Sequence, residues 1–73
     1  MEVLYNSTNN QSYSVVKTPN IPLLNVLGIF EGSQIFKKNT YKHGGPALVL
    51  VGNREVAVGK DIAELIEVKK QEE

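Results

Sequence analysis

The tightest constraint on this chain is a two-residue connection. Ala47-Leu48-Val49-Leu50-Val51 is joined to Arg54-Glu55-Val56-Ala57-Val58 by Gly52-Asn53 alone. Two runs rich in β-branched residues around such a pair read as a β-hairpin, and a loop this short fixes its register. Val51 then stands opposite Arg54, Val49 opposite Val56 and Ala47 opposite Val58, so that Val49, Val51, Val56 and Val58 share one face. The other face carries Leu48, Leu50, Glu55 and Ala57, which is less polar than a solvated sheet should be. Either a barrel curls over that face or a partner covers it.

A second constraint lies upstream. Leu27-Gly28-Ile29, then Gly32, then Ser33-Gln34-Ile35-Phe36-Lys37 reads as a helix end, an abrupt turn and a strand start. Gly28 suits the position just past a helix end, which commonly takes positive φ. Glu31-Gly32 reverses the chain again. Before this knuckle, Asn20 is expected to cap the helix and Pro22 fits its first turn. Leu23, Leu24 and Leu27 fall on one side of it.

The remaining segments are mostly strand. Tyr13 to Lys17 has β-branched and aromatic bias and Thr18-Pro19-Asn20 stops it. Ile35 to Asn39 forms the next strand, linked to the hairpin by a polar loop turning at Gly44-Gly45. Gly59 to Glu64 reads as a turn or a single helical turn, and Leu65 to Lys69 as a closing strand. Residues 1–12, rich in Asn, Ser and Thr, are expected to be a loop or frayed segment, and 70–73 a charged tail. The Asn6-Ser7-Thr8 glycosylation pattern is read as a chance match.

These elements predict a mainly β domain over residues 13–69, a small SH3-like barrel of about five strands with one short helix. Such closure disposes of sheet edges. An OB-type barrel places its helix between the third and fourth strands, and nothing between Ile35 and Arg54 can supply one. The chain of 73 residues, 41% apolar and without cysteine, has room for one thin core held by packing alone, which suits a reducing cytoplasm.

Several function classes find little support. Eight acidic and eight basic side chains give zero formal charge, against a nucleic-acid binder that works by phosphate neutralisation, and Tyr5, Tyr13, Phe30, Phe36 and Tyr41 are too scattered for a stacking platform. The longest apolar run, Pro46 to Val51, falls far short of the roughly 20 residues that cross a bilayer, and no signal pattern opens the chain, so a soluble cytoplasmic protein is expected. His43 is the single histidine, with no acid indicated to orient it, and no enzyme is expected. Gly44-Gly45 leads through Pro46 into a strand rather than a helix, so no phosphate-binding loop or other cofactor site is read there. His43 with Glu31, Glu55, Asp61, Glu64 and Glu67 offers ligand types for a divalent transition metal but no metal-binding spacing.

Leu24-x-x-Leu27-Gly28-Ile29-x-x-Gly32, Gly44-Gly45-Pro46 before a valine-rich strand, Val56-Ala57-Val58 and Ala63-x-x-Ile66-x-Val68 together resemble the FeoA family, small cytosolic accessory proteins of ferrous-iron uptake. The resemblance spans roughly Tyr13 to Lys69. It implies an SH3-like fold and docking to a FeoB-type transporter, a membrane protein with a cytosolic GTPase domain, with iron as the partner's cargo. Asn25, Glu31 and Ile21-Pro22 depart from the residues the family usually carries there.

A barrel without catalytic groups works by binding. Leu23, Leu24, Val26 and Phe30 are expected to form an apolar patch that docks the partner. For Leu23 and Leu24 the alternative, plugging one end of the barrel, stands equally, and Leu27 is read as plug. Gly28, Gly32, Gly44, Gly45 and Gly52 are read as structural turns. Two other functions remain open: an SH3-like module acting in trans with a metal-dependent transcription regulator, which the resemblance also admits, and a generic protein-interaction barrel. Weak self-association is compatible with each.

Overall fold

A computed structural model describes residues 2–71. Its elements are β1 (Glu2–Val3), a 3-10 turn (Leu4–Asn6), β2 (Gln11–Lys17), α1 (Pro22–Val26), β3 (Gln34–Thr40), β4 (Ala47–Val51), β5 (Arg54–Val58), α2 (Lys60–Ala63) and β6 (Glu67–Lys70). The strands form one sheet in the order β1-β6-β2-β3-β4-β5, every neighbouring pair antiparallel. This is a small SH3-like fold.

The β4–β5 hairpin has the register its loop dictates: Val51 opposite Arg54, Val49 opposite Val56, Ala47 opposite Val58. Gly52 takes φ +64° while Asn53 stays outside the left-handed region, the turn in which glycine occupies the first central position. The inner face buries Ala47, Val49, Val56 and Val58 with Tyr13 and Val15 of β2, Ile35 of β3 and Val68 of β6. Leu4, Leu24, Ile29, Ala63 and Ile66 close this core from outside the sheet. On the outer face Leu48 and Leu50 are half-buried, Ala57 and Glu55 exposed. A Lys38–Glu55 ion pair at 2.7 Å bridges β3 to β5 across β4 there.

Four expectations are corrected. The segment 1–12 is not a loose loop: Glu2–Val3 pairs with β6, Leu4 is fully buried, and β2 begins at Gln11, while Met1 lies outside the described residues. A polar run can still fold onto a barrel when one apolar side chain anchors it. A sixth strand, β1, therefore joins the five read from the sequence, and α2 is the single helical turn expected between Gly59 and Glu64. Asn20 does not cap α1; Ile21 takes the cap position with no side-chain bond, and Pro22 sets the first turn. β6 starts at Glu67 because the Leu65 and Ile66 amides still bond back to Ile62 and Ala63 carbonyls. It runs through Lys70, and the Gln71 amide reaches the Ser12 carbonyl at 3.1 Å, so the tail begins later than residue 70. Glu72 and Glu73, of that tail, lie outside the described residues.

Candidate functional site

The knuckle after α1 is assembled by backbone bonds around two glycines of positive φ. The Gly28 amide donates to Asn25 O at 3.1 Å and the Ile29 amide to Leu24 O at 2.8 Å, satisfying carbonyls the helix end leaves open. Gly28 sits at φ +87°, and a Cβ there would lie 2.8 Å from Val51 Cγ1. Leu24 and Ile29, paired by this motif, both enter the core. Arg54 Nη2 adds a donor to Leu27 O at 3.4 Å. Gly32, at φ +94°, then donates to Val15 O at 2.8 Å, while the Val15 amide donates to Ser33 O at 2.8 Å. The Ser33 hydroxyl closes the loop, donating to Phe30 O at 2.8 Å and accepting from the Phe30 amide. The segment is thus pinned to the hairpin on one side and to β2 on the other.

On this rigid mount Leu23 is 60% exposed, Val26 73% and Phe30 46%. Leu23 and Val26 are three apart and so share a helix face. Leu24 is 4% exposed and belongs to the core, which corrects its place among the docking candidates. A five-residue helix lying on a barrel can turn one side inward, and the positions that point in are Leu24 and, partly, Leu27. Leu23 does not plug the barrel. Two further exposed apolar side chains, Leu65 after α2 and Tyr41 after β3, are not singled out by the sequence as surface groups. The pattern of residues 65–69 puts Leu65 in a strand; its position after the α2 turn instead makes it point away from Ala63 and Ile66, both buried.

The other glycines shape turns. Gly44 has φ +76°, and a Cβ on Gly45 would lie 2.7 Å from Tyr41 Cβ, so this loop closes too tightly for a side chain. Tyr5 Oη donates to Gly45 O at 3.0 Å. His43, at φ +63°, is exposed on the same loop.

Among the described residues no catalytic constellation is assembled. His43, Glu31, Asp61 and Glu64 are exposed, Glu55 is engaged by Lys38, and among the described residues no group of three or more His, Asp or Glu is placed to hold a metal. The outer-face groove lined by Ser12, Gln34, Ile35, Phe36, Leu50, Gly52 and Gln71 contains no titratable side chain. The hydrogen bond and charge of Glu55 raise the Lys38 pKa, whereas burial lowers that of Lys37, with the charge of Glu2 acting in the opposite sense. No described helix is long and apolar enough to cross a membrane.

Comparison with known proteins agrees with this geometry. The crystal structure of an iron uptake regulatory protein, FeoA, superposes with a TM-score of 0.84 at 23% identity over 96% of this chain and 97% of that one. The solution structure of iron(II) transport protein A from Clostridium thermocellum gives 0.83 at 23% identity, covering 94% of this chain and 45% of that chain. A ScaR structure with bound Zn2+ gives 0.84 at 18% identity over 94% of this chain, and here the chain spans 36% of the other's length. No curated protein matches the sequence. The family model for the FeoA domain matches residues 11–70. The chain therefore belongs to the FeoA domain family, a membership that points to an accessory role in ferrous iron transport.

Proposed function

We propose that this protein is a non-catalytic cytoplasmic adaptor that regulates ferrous iron uptake by docking, through Leu23, Val26 and Phe30, onto the cytosolic part of a FeoB-type transporter. The observation that carries the reading is the presentation of three large apolar side chains on a segment whose backbone is fixed by Gly28 and Gly32. Burying a leucine or phenylalanine from water is worth about 1.5–3 kcal/mol each, and a rigid mount avoids the ordering cost that a loop would carry on binding. Iron is the transporter's cargo in this reading. The chain itself contributes shape and apolar surface.

A second reading draws on the likeness to metal-dependent repressors, a zinc-bound ScaR and a manganese-dependent transcriptional repressor, which share the fold. The chain would then act in trans on such a regulator. Parallel titrations against a purified FeoB-type transporter and a metal-dependent repressor discriminate: saturable binding to the transporter alone supports the adaptor. Binding to the repressor alone, or to neither, overturns it.

A further inference from the structure

A core built from apolar side chains contains one ammonium. Lys37 is 1% exposed and lies opposite Val49, on the inner face with Ile35. Among the described residues no carboxylate bonds it. Its partners belong to one short segment: Nζ donates to Ser7 O at 2.6 Å and to Tyr5 O at 3.2 Å. Thr40 Oγ1 donates to the same Tyr5 O at 2.9 Å, and Ser7 Oγ to Leu4 O at 2.7 Å. The register shift between Lys37 and Asn39 is what allows this. Lys37 faces Val49 and Thr40 faces Ala47, so an odd and an even position of β3 both point inward. The carbonyls they satisfy end a 3-10 turn that cannot bond them itself.

The other attachments of residues 2–7 are spread over separate elements: Glu2 and Val3 pair with Val68 and Glu67, the Leu4 amide donates to Ile66 O at 2.8 Å and its side chain is buried in the core, Tyr5 Oη donates to Gly45 O at 3.0 Å, and the Lys60 ammonium lies 5.7 Å from the centre of the Tyr5 ring. Exposed Thr8, Asn9 and Asn10 lead on to β2, with Asn10 at φ +59°. A two-residue strand and a single turn do not hold themselves in place.

We propose that residues 2–7 are a strap, latched by Lys37 and Thr40, which opens as a unit before the barrel unfolds and in opening bares a strand-addition groove along β6. β1 shows the ligand that fits: residues 2–7 of a second copy of this chain, antiparallel to β6, with its Leu4 in the slot vacated by the first.

Native-state hydrogen exchange on the full chain tests the latch. In Lys37→Met the Leu4 and Ser7 amides should exchange about tenfold faster or more, the factor expected when the Tyr5 and Ser7 carbonyls lose their donor inside the fold, while Val49 and Val56 keep their protection relative to the new global stability. Thr40→Val should give a smaller change confined to the same amides, and covers the case in which Lys37→Met does not fold. Acceleration shared equally by strap and barrel in both variants overturns the latch. For the groove, a synthetic peptide of the chain's own residues 2–8 should shift the Glu67 and Val68 amide resonances in the variant and leave wild type unchanged; shifts in neither protein, or equal shifts in both, overturn the groove.

Discussion

Replacing Gly28 by alanine tests the knuckle most sharply, because two separable penalties meet there. A β-carbon residue held at φ +87° carries left-handed strain of roughly 1–2 kcal/mol. The added Cβ would also lie 2.8 Å from Val51 Cγ1, closer than such atoms approach, and overpacking of this kind costs about 1–3 kcal/mol. Together Gly28→Ala should lose about 2–5 kcal/mol. Gly32→Ala supplies the control: its φ of +94° carries the same strain, but nothing lies within 4 Å of the point its Cβ would occupy. It should lose only about 1–2 kcal/mol, less what alanine gains by stiffening the unfolded chain. Urea denaturation followed by circular dichroism reads both, and in a thermal melt the midpoint of a domain this size moves by about 4–8 °C per kcal/mol. Val51→Ala made in the Gly28→Ala background should recover part of the loss, leaving the double variant more stable than the two single losses would sum to. Equal losses at Gly28 and Gly32, or a Gly28→Ala protein within about 0.5 kcal/mol of wild type, would refute the reasoning.

Other consequences can be checked alongside. Leu24→Ala should cost about 2–5 kcal/mol by chemical denaturation because it empties a core site, whereas exposed Leu23→Ala should stay within about 0.5 kcal/mol. Burial holds the folded Lys37 pKa below the ordinary 10.5, so below its folded pKa the charged form penalises folding, and the penalty lifts as pH rises from that value towards 10.5. The stability of wild type minus that of Lys37→Met should therefore increase with pH over that alkaline window; a flat or falling difference counts against a desolvated ammonium. Glu55→Gln should leave the thermal midpoint unchanged within error and return the Lys38 pKa towards its ordinary value, measurable by NMR titration, because the pair is solvent-exposed.

The sequence discloses those elements whose geometry is local. A two-residue loop leaves one register for β4 and β5, and Gly28 marks a helix end because few other residues accept its φ. What escapes local reading depends on contacts distant in sequence. Leu4 is a single apolar residue in a polar run, and only the slot beside Ile66 makes it structural. Lys37 carries one legible signal, its alternation with Ile35, which places both on the core side; a lysine is so seldom buried that alternation alone does not reveal it. Leu23 and Leu24 are adjacent and chemically identical, and which one faces the barrel follows from the direction in which α1 approaches. Asn25, which stands where the family usually carries a leucine, is exposed beside Val26 and leaves the core face intact.

Docking through the α1 knuckle is tested by the affinity of a FeoB-type transporter's cytosolic domain for wild type and for a Leu23→Ser/Phe30→Ser variant, measured by isothermal titration calorimetry. Wild type should bind saturably, and binding should be lost in a variant whose thermal midpoint is unchanged, since both side chains are exposed. Equal affinity of the two proteins would contradict it.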